Sequence, residues 1–126
     1  MTEFNLNIDP DQDLIDENVL YALADAIGVP AINDFIDRFF EDCKTRTSRI
    51  IEAYEKNCFS EVELEAHTLG TSAATYGALK LETLCRAIEY SKPSKNQSFD
   101  EKIKQLHVLS VQSLEILREG MKEDNL

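Results

Sequence analysis

From Ile32 to Tyr54 apolar residues return at intervals of three and four: Ile32, Phe35, Ile36, Phe39, Phe40, Cys43, Ile50, Ile51 and Tyr54, with Thr47 in the same register. That is the period of an α-helix with one face in a core. No segment elsewhere alternates apolar and polar residues for long enough to make a strand. A chain built on such a stripe has to bury it against other helices.

The flanking signals divide the rest into helices. Asp16 suits the N-cap of a short helix carrying Val19, Leu20, Leu23, Ala24 and Ile27, and Gly28 suits its stop. Pro30 fits the first turn of the long helix, where a missing N–H costs little. Ser60 and Glu63 form a capping-box pattern ahead of a third helix, which Gly77 ends after Tyr76. A fourth helix turns Leu81, Leu84, Cys85 and Ile88 inward, and a polar loop follows over residues 91–97. Ser98 and Glu101 repeat the capping-box pattern before a last helix with Ile103, Leu106, Leu109, Leu114 and Leu117, expected to fray past Gly120. Short connections favour antiparallel neighbours. The expected fold is therefore all-α: an antiparallel up-down-up-down four-helix bundle with a short N-terminal capping helix. Residues 1–13 read as an acidic N-terminal arm, and residues 14–126 as a single bundle domain.

Composition narrows the function. The 126 residues carry 24 acidic and 13 basic side chains, a net charge of -11. Binding to nucleic acid or to an anionic membrane needs a basic face, so no nucleic-acid or membrane partner is expected. The first residues, Met1 to Asn7, show no basic and apolar leader pattern, and no apolar run approaches the roughly 20 residues that span a bilayer. Cys43, Cys58 and Cys85 are odd in number and lack metal-finger spacing. They read as reduced, mostly buried thiols, and the expected location is the cytoplasm.

The chemistry concentrates at one histidine. On a wheel of about 100° per residue, Val62, Ala66, Leu69, Ala73 and Tyr76 share one side of the third helix. His67 falls opposite, in line with Glu63, Gly70, Thr71 and Ala74. The small residues leave the ring open to a protein partner. A neutral imidazole nitrogen is a fair nucleophile toward an activated phosphoryl group. His107, beside Leu106 and Leu109, reads as a helix-boundary residue with no chemical role. A carboxylate-bridged metal bundle needs Glu-x-x-His pairs on its core face. Here Glu63 and His67 face away from the core and Lys104 stands three residues before His107. There is no phosphate-binding glycine loop, so autokinase activity is not expected.

His67, Leu69, Ser72, Gly77 and Ala78 match a run of the type His-x-Leu-Lys-Gly-Ser-x-x-x-x-Gly-Ala, and the likeness continues through Leu81, Leu84-Cys85 and Ile88-Glu89. In this the chain resembles the histidine-containing phosphotransfer (HPt) family. The resemblance implies a phosphoryl carrier rather than an enzyme, with His67 as phosphoacceptor and with Glu63, Gly70, Thr71 and Ala74 as the docking stripe. It implies response-regulator receiver domains as partners, and also a hybrid histidine kinase. It implies no cofactor of the chain's own, with magnesium bound on the receiver. A monomer is expected. Two positions depart from the pattern. Gly70 stands where the family has a lysine, thought to offset phosphoryl charge, and Thr71 stands where it has a glycine. The first departure leaves the ring without that cation, so that a lysine restored at position 70 is expected to favour phosphorylation. It also supports an alternative, a degenerate HPt-like bundle that serves as a phosphate-free interaction module. The Thr71 hydroxyl is available to donate to a phosphoryl oxygen.

Overall fold

The computed structural model describes residues 14–124, and the acidic arm expected over residues 1–13 lies outside them. The described residues form five helices: α1 (Glu17–Ile27), α2 (Val29–Glu55), α3 (Phe59–Thr75), α4 (Leu79–Tyr90) and α5 (Gln97–Asp124). Helix α2 packs on α3, α3 on α4, α4 on α5, and α5 back on α2. With connectors this short, successive helices run antiparallel and close the expected up-down-up-down four-helix bundle. Helix α1 lies against α2.

The core is the periodic stripe of each helix. Ile32, Ile36, Phe39, Cys43 and Ile50 of α2 meet Val62, Ala66, Leu69 and Ala73 of α3, with Leu81, Leu84, Cys85 and Ile88 of α4 and Leu106, Leu109 and Leu117 of α5 closing around them. Phe35, Phe40 and Ile51, on the flanks of the α2 stripe, are only partly buried. The α3–α4 pair is the part of the bundle that matters most for His67. Its facing residues on α3 are small, so the two backbones approach closely.

Two turns hold that pair in register. Asp16 caps α1 through a 3.0 Å bond from the Asn18 amide, as expected, and its own amide donates to the Gly77 carbonyl at 2.7 Å. Gly77 has φ +73, and a Cβ there would stand 2.8 Å from the Asp16 carbonyl oxygen. Only glycine meets both demands. Tyr76 stacks on Phe39 with ring centroids 4.4 Å apart, which pins the end of α3 to α2.

Several boundaries differ from the sequence expectation. Helix α3 begins at Phe59 with Cys58 as N-cap and no side-chain capping bond, so Ser60 and Glu63 form no capping box. Asn57, at φ +60, already turns the chain there. In α5 the cap is Asn96, whose Oδ1 accepts from the Phe99 amide at 2.8 Å, rather than Ser98. Helix α5 continues past Gly120 to Asp124. His107 lies within α5 and not at a boundary; it lines a groove between α2 and α5 with Phe40, Thr47 and Ile51. Among the described residues no helix is long and apolar enough to cross a membrane.

Gly77→Ala is expected to cost at least about 2 kcal/mol, because a left-handed backbone strains an alanine and its Cβ meets a backbone oxygen. A lowered urea midpoint with an unchanged slope would show it; an unchanged midpoint would contradict the geometry. The thiols give a second test. All three are free, with Cys43 and Cys85 buried and Cys58 exposed. Burial, aided by Asp42, pushes the Cys43 thiol up to about 12. Burial raises Cys85 as well, with Cys43 beside it. Only thiolate is nucleophilic. Iodoacetamide at mildly alkaline pH is therefore expected to add one group to the native protein, at Cys58, and three after denaturation. Mass spectrometry reads the count, and native adducts at Cys43 or Cys85 forming as fast as at Cys58 would contradict the packing.

Candidate functional site

Helix α3 presents His67 to solvent, with its side chain 54% exposed, as the wheel predicts. The opposite face holds Val62, Ala66, Leu69 and Ala73 in the core. The ring's orientation is set from α4. Nδ1 of His67 lies 2.8 Å from Oε2 of Glu89, whose side chain is only 15% exposed. A carboxylate can only accept, so in the neutral ring Nδ1 carries the proton and Nε2 keeps its lone pair. Nε2 is then the nucleophilic nitrogen, on the side of the ring turned from Glu89.

Glu89 is itself held by Arg86, one turn earlier on α4. Arg86 Nη1 donates to Glu89 Oε1 at 3.3 Å and to the backbone carbonyl of His67 at 3.2 Å. One carboxylate thus bridges the imidazole and a guanidinium. The backbone under the ring and the ring itself are tied to the same arginine–glutamate pair.

Gly70 explains how Arg86 reaches α3, and its place corrects the expectation. It is buried rather than part of an open docking stripe. A Cβ at position 70 would lie 2.9 Å from Arg86 Nη1, 3.0 Å from Arg86 Cζ and 3.2 Å from Cys85 Cβ. The guanidinium rests on the glycine backbone. A side chain at this position would have to shift the flexible end of Arg86, so a lysine here would add its charge while moving the arginine from its place. Thr71 is exposed, but its hydroxyl already donates to the His67 carbonyl at 3.1 Å. Glu63 and Ala74 are half-buried on the same helix. Leu64, three residues before His67, is 62% exposed and adds an apolar side chain that the small-residue pattern did not single out.

Ser72, a motif position, faces the neighbouring helix instead of the ring. Its hydroxyl donates to Asp42 Oδ2 at 3.1 Å, and Asp42 also accepts from Arg46 at 3.0 Å, which reaches Glu65 at 2.8 Å. This network fixes the rotation of α3 on α2. Sequence reading found His67 but missed the roles of Glu89 and Arg86. Glu89 stood in the downstream pattern, yet only the packing of α4 on α3 brings it to the ring. Among the described residues no group of His, Cys, Asp and Glu is arranged to hold a metal ion.

The solved structure of histidine-containing phosphotransfer protein B (HptB) from Pseudomonas aeruginosa PAO1 is similar to this one, with a TM-score of 0.81. The match covers 90% of this chain and 98% of that one at 18% identity, and so speaks for the fold. No curated protein matches the sequence. The model of the Hpt domain family matches residues 34–121, from α2 through most of α5, and includes His67, Arg86 and Glu89. The chain belongs to the Hpt domain family.

Proposed function

We propose that the protein is a histidine phosphotransfer protein of a multistep phosphorelay, carrying a phosphoryl group on Nε2 of His67 between receiver-domain aspartates. The observation that carries this reading is the bond between His67 Nδ1 and Glu89, which selects one tautomer of an exposed ring. In the transfer, the P–O bond to the receiver's aspartate breaks as the P–N bond to Nε2 forms. The aspartate leaves as a carboxylate. Nδ1 keeps its proton, and the positive charge that the ring gains faces Glu89. The reverse reaction returns the group by the same path. Positioning and charge neutralisation do most of the work in phosphoryl transfer, and a rigid helix supplies the first. In this reading the magnesium belongs to the receiver, and the chain neither binds ATP nor phosphorylates itself.

The receiver docks over His67, against Thr71, Ala74, Glu63 and the exposed Leu64. Gly70 contributes from beneath, as the seat of Arg86. A hybrid histidine kinase would deliver the group through its own receiver domain. The bundle acts as a monomer in the cytoplasm.

His67→Gln is expected to abolish transfer from a phosphorylated receiver while changing stability by about 1 kcal/mol or less, the worth of the bond to Glu89. Acid-labile label on the His67→Gln protein would remove His67 from the role. Thr71→Trp separates docking from chemistry. It should slow exchange with a receiver by about tenfold or more, equivalent to about 1.4 kcal/mol of barrier. The small donor phosphoramidate should still label the variant at His67. Unchanged exchange with the cognate receiver would place the docking surface elsewhere.

A further inference from the structure

Arg86 is held in place more firmly than an exposed helix arginine needs to be. Its side chain is 30% exposed, and its guanidinium stands so close over Gly70 that a Cβ there would lie 2.9 Å from Nη1 and force it to move. Both of its bonds into the site run from Nη1, one to the His67 carbonyl and one to the carboxylate that orients the ring. The fork carries three further N–H groups, on Nε and Nη2. A phosphoryl group on His67 would bring about two negative charges to a ring that already faces Glu89. The cation bonded to both the ring's carboxylate and its backbone is Arg86. A planar guanidinium also suits phosphoryl oxygens better than an ammonium does.

We propose that Arg86, seated on Gly70, is the positioning cation for the phosphorylated state: it offsets the charge of the phosphoryl group on His67, and Gly70 is glycine so that it can. This rests on His67 being the phosphoacceptor. The shared carboxylate links the two events. When the ring becomes positive on phosphorylation, it competes with Arg86 for Glu89. The guanidinium is then free to turn N–H groups toward the phosphoryl oxygens. Glycine and arginine are coupled in this arrangement. A methyl group at position 70 leaves the charge in the protein but lifts it from its seat.

The phosphoryl group reports on its own surroundings through 31P NMR. The unaltered protein, Arg86→Gln, Arg86→Lys and Gly70→Ala are each phosphorylated with phosphoramidate, whose N–P bond breaks with loss of ammonia as the bond to His67 forms. The phosphorus resonance is then followed against pH, with circular dichroism confirming the fold. A nearby cation favours the dianion and lowers the titration midpoint. Arg86→Gln retains hydrogen-bonding capacity but not charge, so its midpoint should rise by about half a pH unit at low salt. The rise should shrink as salt is added. Gly70→Ala should rise in the same direction, and Arg86→Lys should stay near the parent. Arg86→Gln titrating with the parent at low salt would overturn the proposal, and so would a Gly70→Ala midpoint unmoved where Arg86→Gln does not fold. If the unaltered protein takes no label at His67, the phosphoacceptor reading falls and this assignment with it. Label without a shifted midpoint overturns the assignment alone.

Discussion

The close approach of α3 and α4 governs the His67 face. Ala66, Gly70 and Ala73 are all buried on the side of α3 turned to its neighbours, and none carries more than a methyl group. Leu81, Leu84, Cys85 and Ile88 fill the α4 side. The helices can therefore sit near enough for a glutamate on one to reach an imidazole on the other at 2.8 Å. Such a bond needs its donor and acceptor within about 2.7–3.2 Å. The ring's tautomer is thus a consequence of side-chain volume in the core as much as of the residue that bonds it.

Magnitudes separate scaffold from site. Truncating a fully buried leucine such as Leu69 or Leu84 to alanine is worth roughly 2–5 kcal/mol. The bonds among His67, Glu89 and Arg86 are worth about 1 kcal/mol each at such exposure. They are too weak to hold the bundle together, and the bundle does not need them. What they supply is direction. The same comparison applies to charge. The net charge of -11 sets an unfavourable field for any added anion, but salt screens distant charges beyond about 8 Å. One guanidinium in contact with the site outweighs a larger number of remote carboxylates.

The periodic stripes of α2, α3, α4 and α5 were legible because burial of one helix face leaves a local trace at threes and fours. The outward place of His67 followed from the same wheel. The stop at Gly77 was also legible, although the reason it must be glycine, the Asp16 carbonyl beside it, comes from residues far away in sequence. Caps leave a weaker local trace. Asn96 and Ser98 have similar capping propensity. Tyr54 anchors this turn, its single hydroxyl proton shared between the Asp100 carboxylate and, at 3.3 Å, the Asn96 carbonyl. A local pattern cannot register an anchor supplied by another helix.

Gly70 shows the same limit at the site. A wheel places it near His67 and so suggests an accessible small residue. The wheel sees only α3, whereas the space above Gly70 is taken by a side chain from α4. Read against the family motif alone, the glycine is a lost lysine. In the fold it is one half of a pair whose other half is Arg86. Substitutions at such contacting positions are not additive. A side chain at position 70 and the arginine at position 86 contend for one space, so the effect of a lysine there depends on where it sends Arg86. Whether a departure from the motif weakens the site therefore depends on what the neighbouring helix has put there.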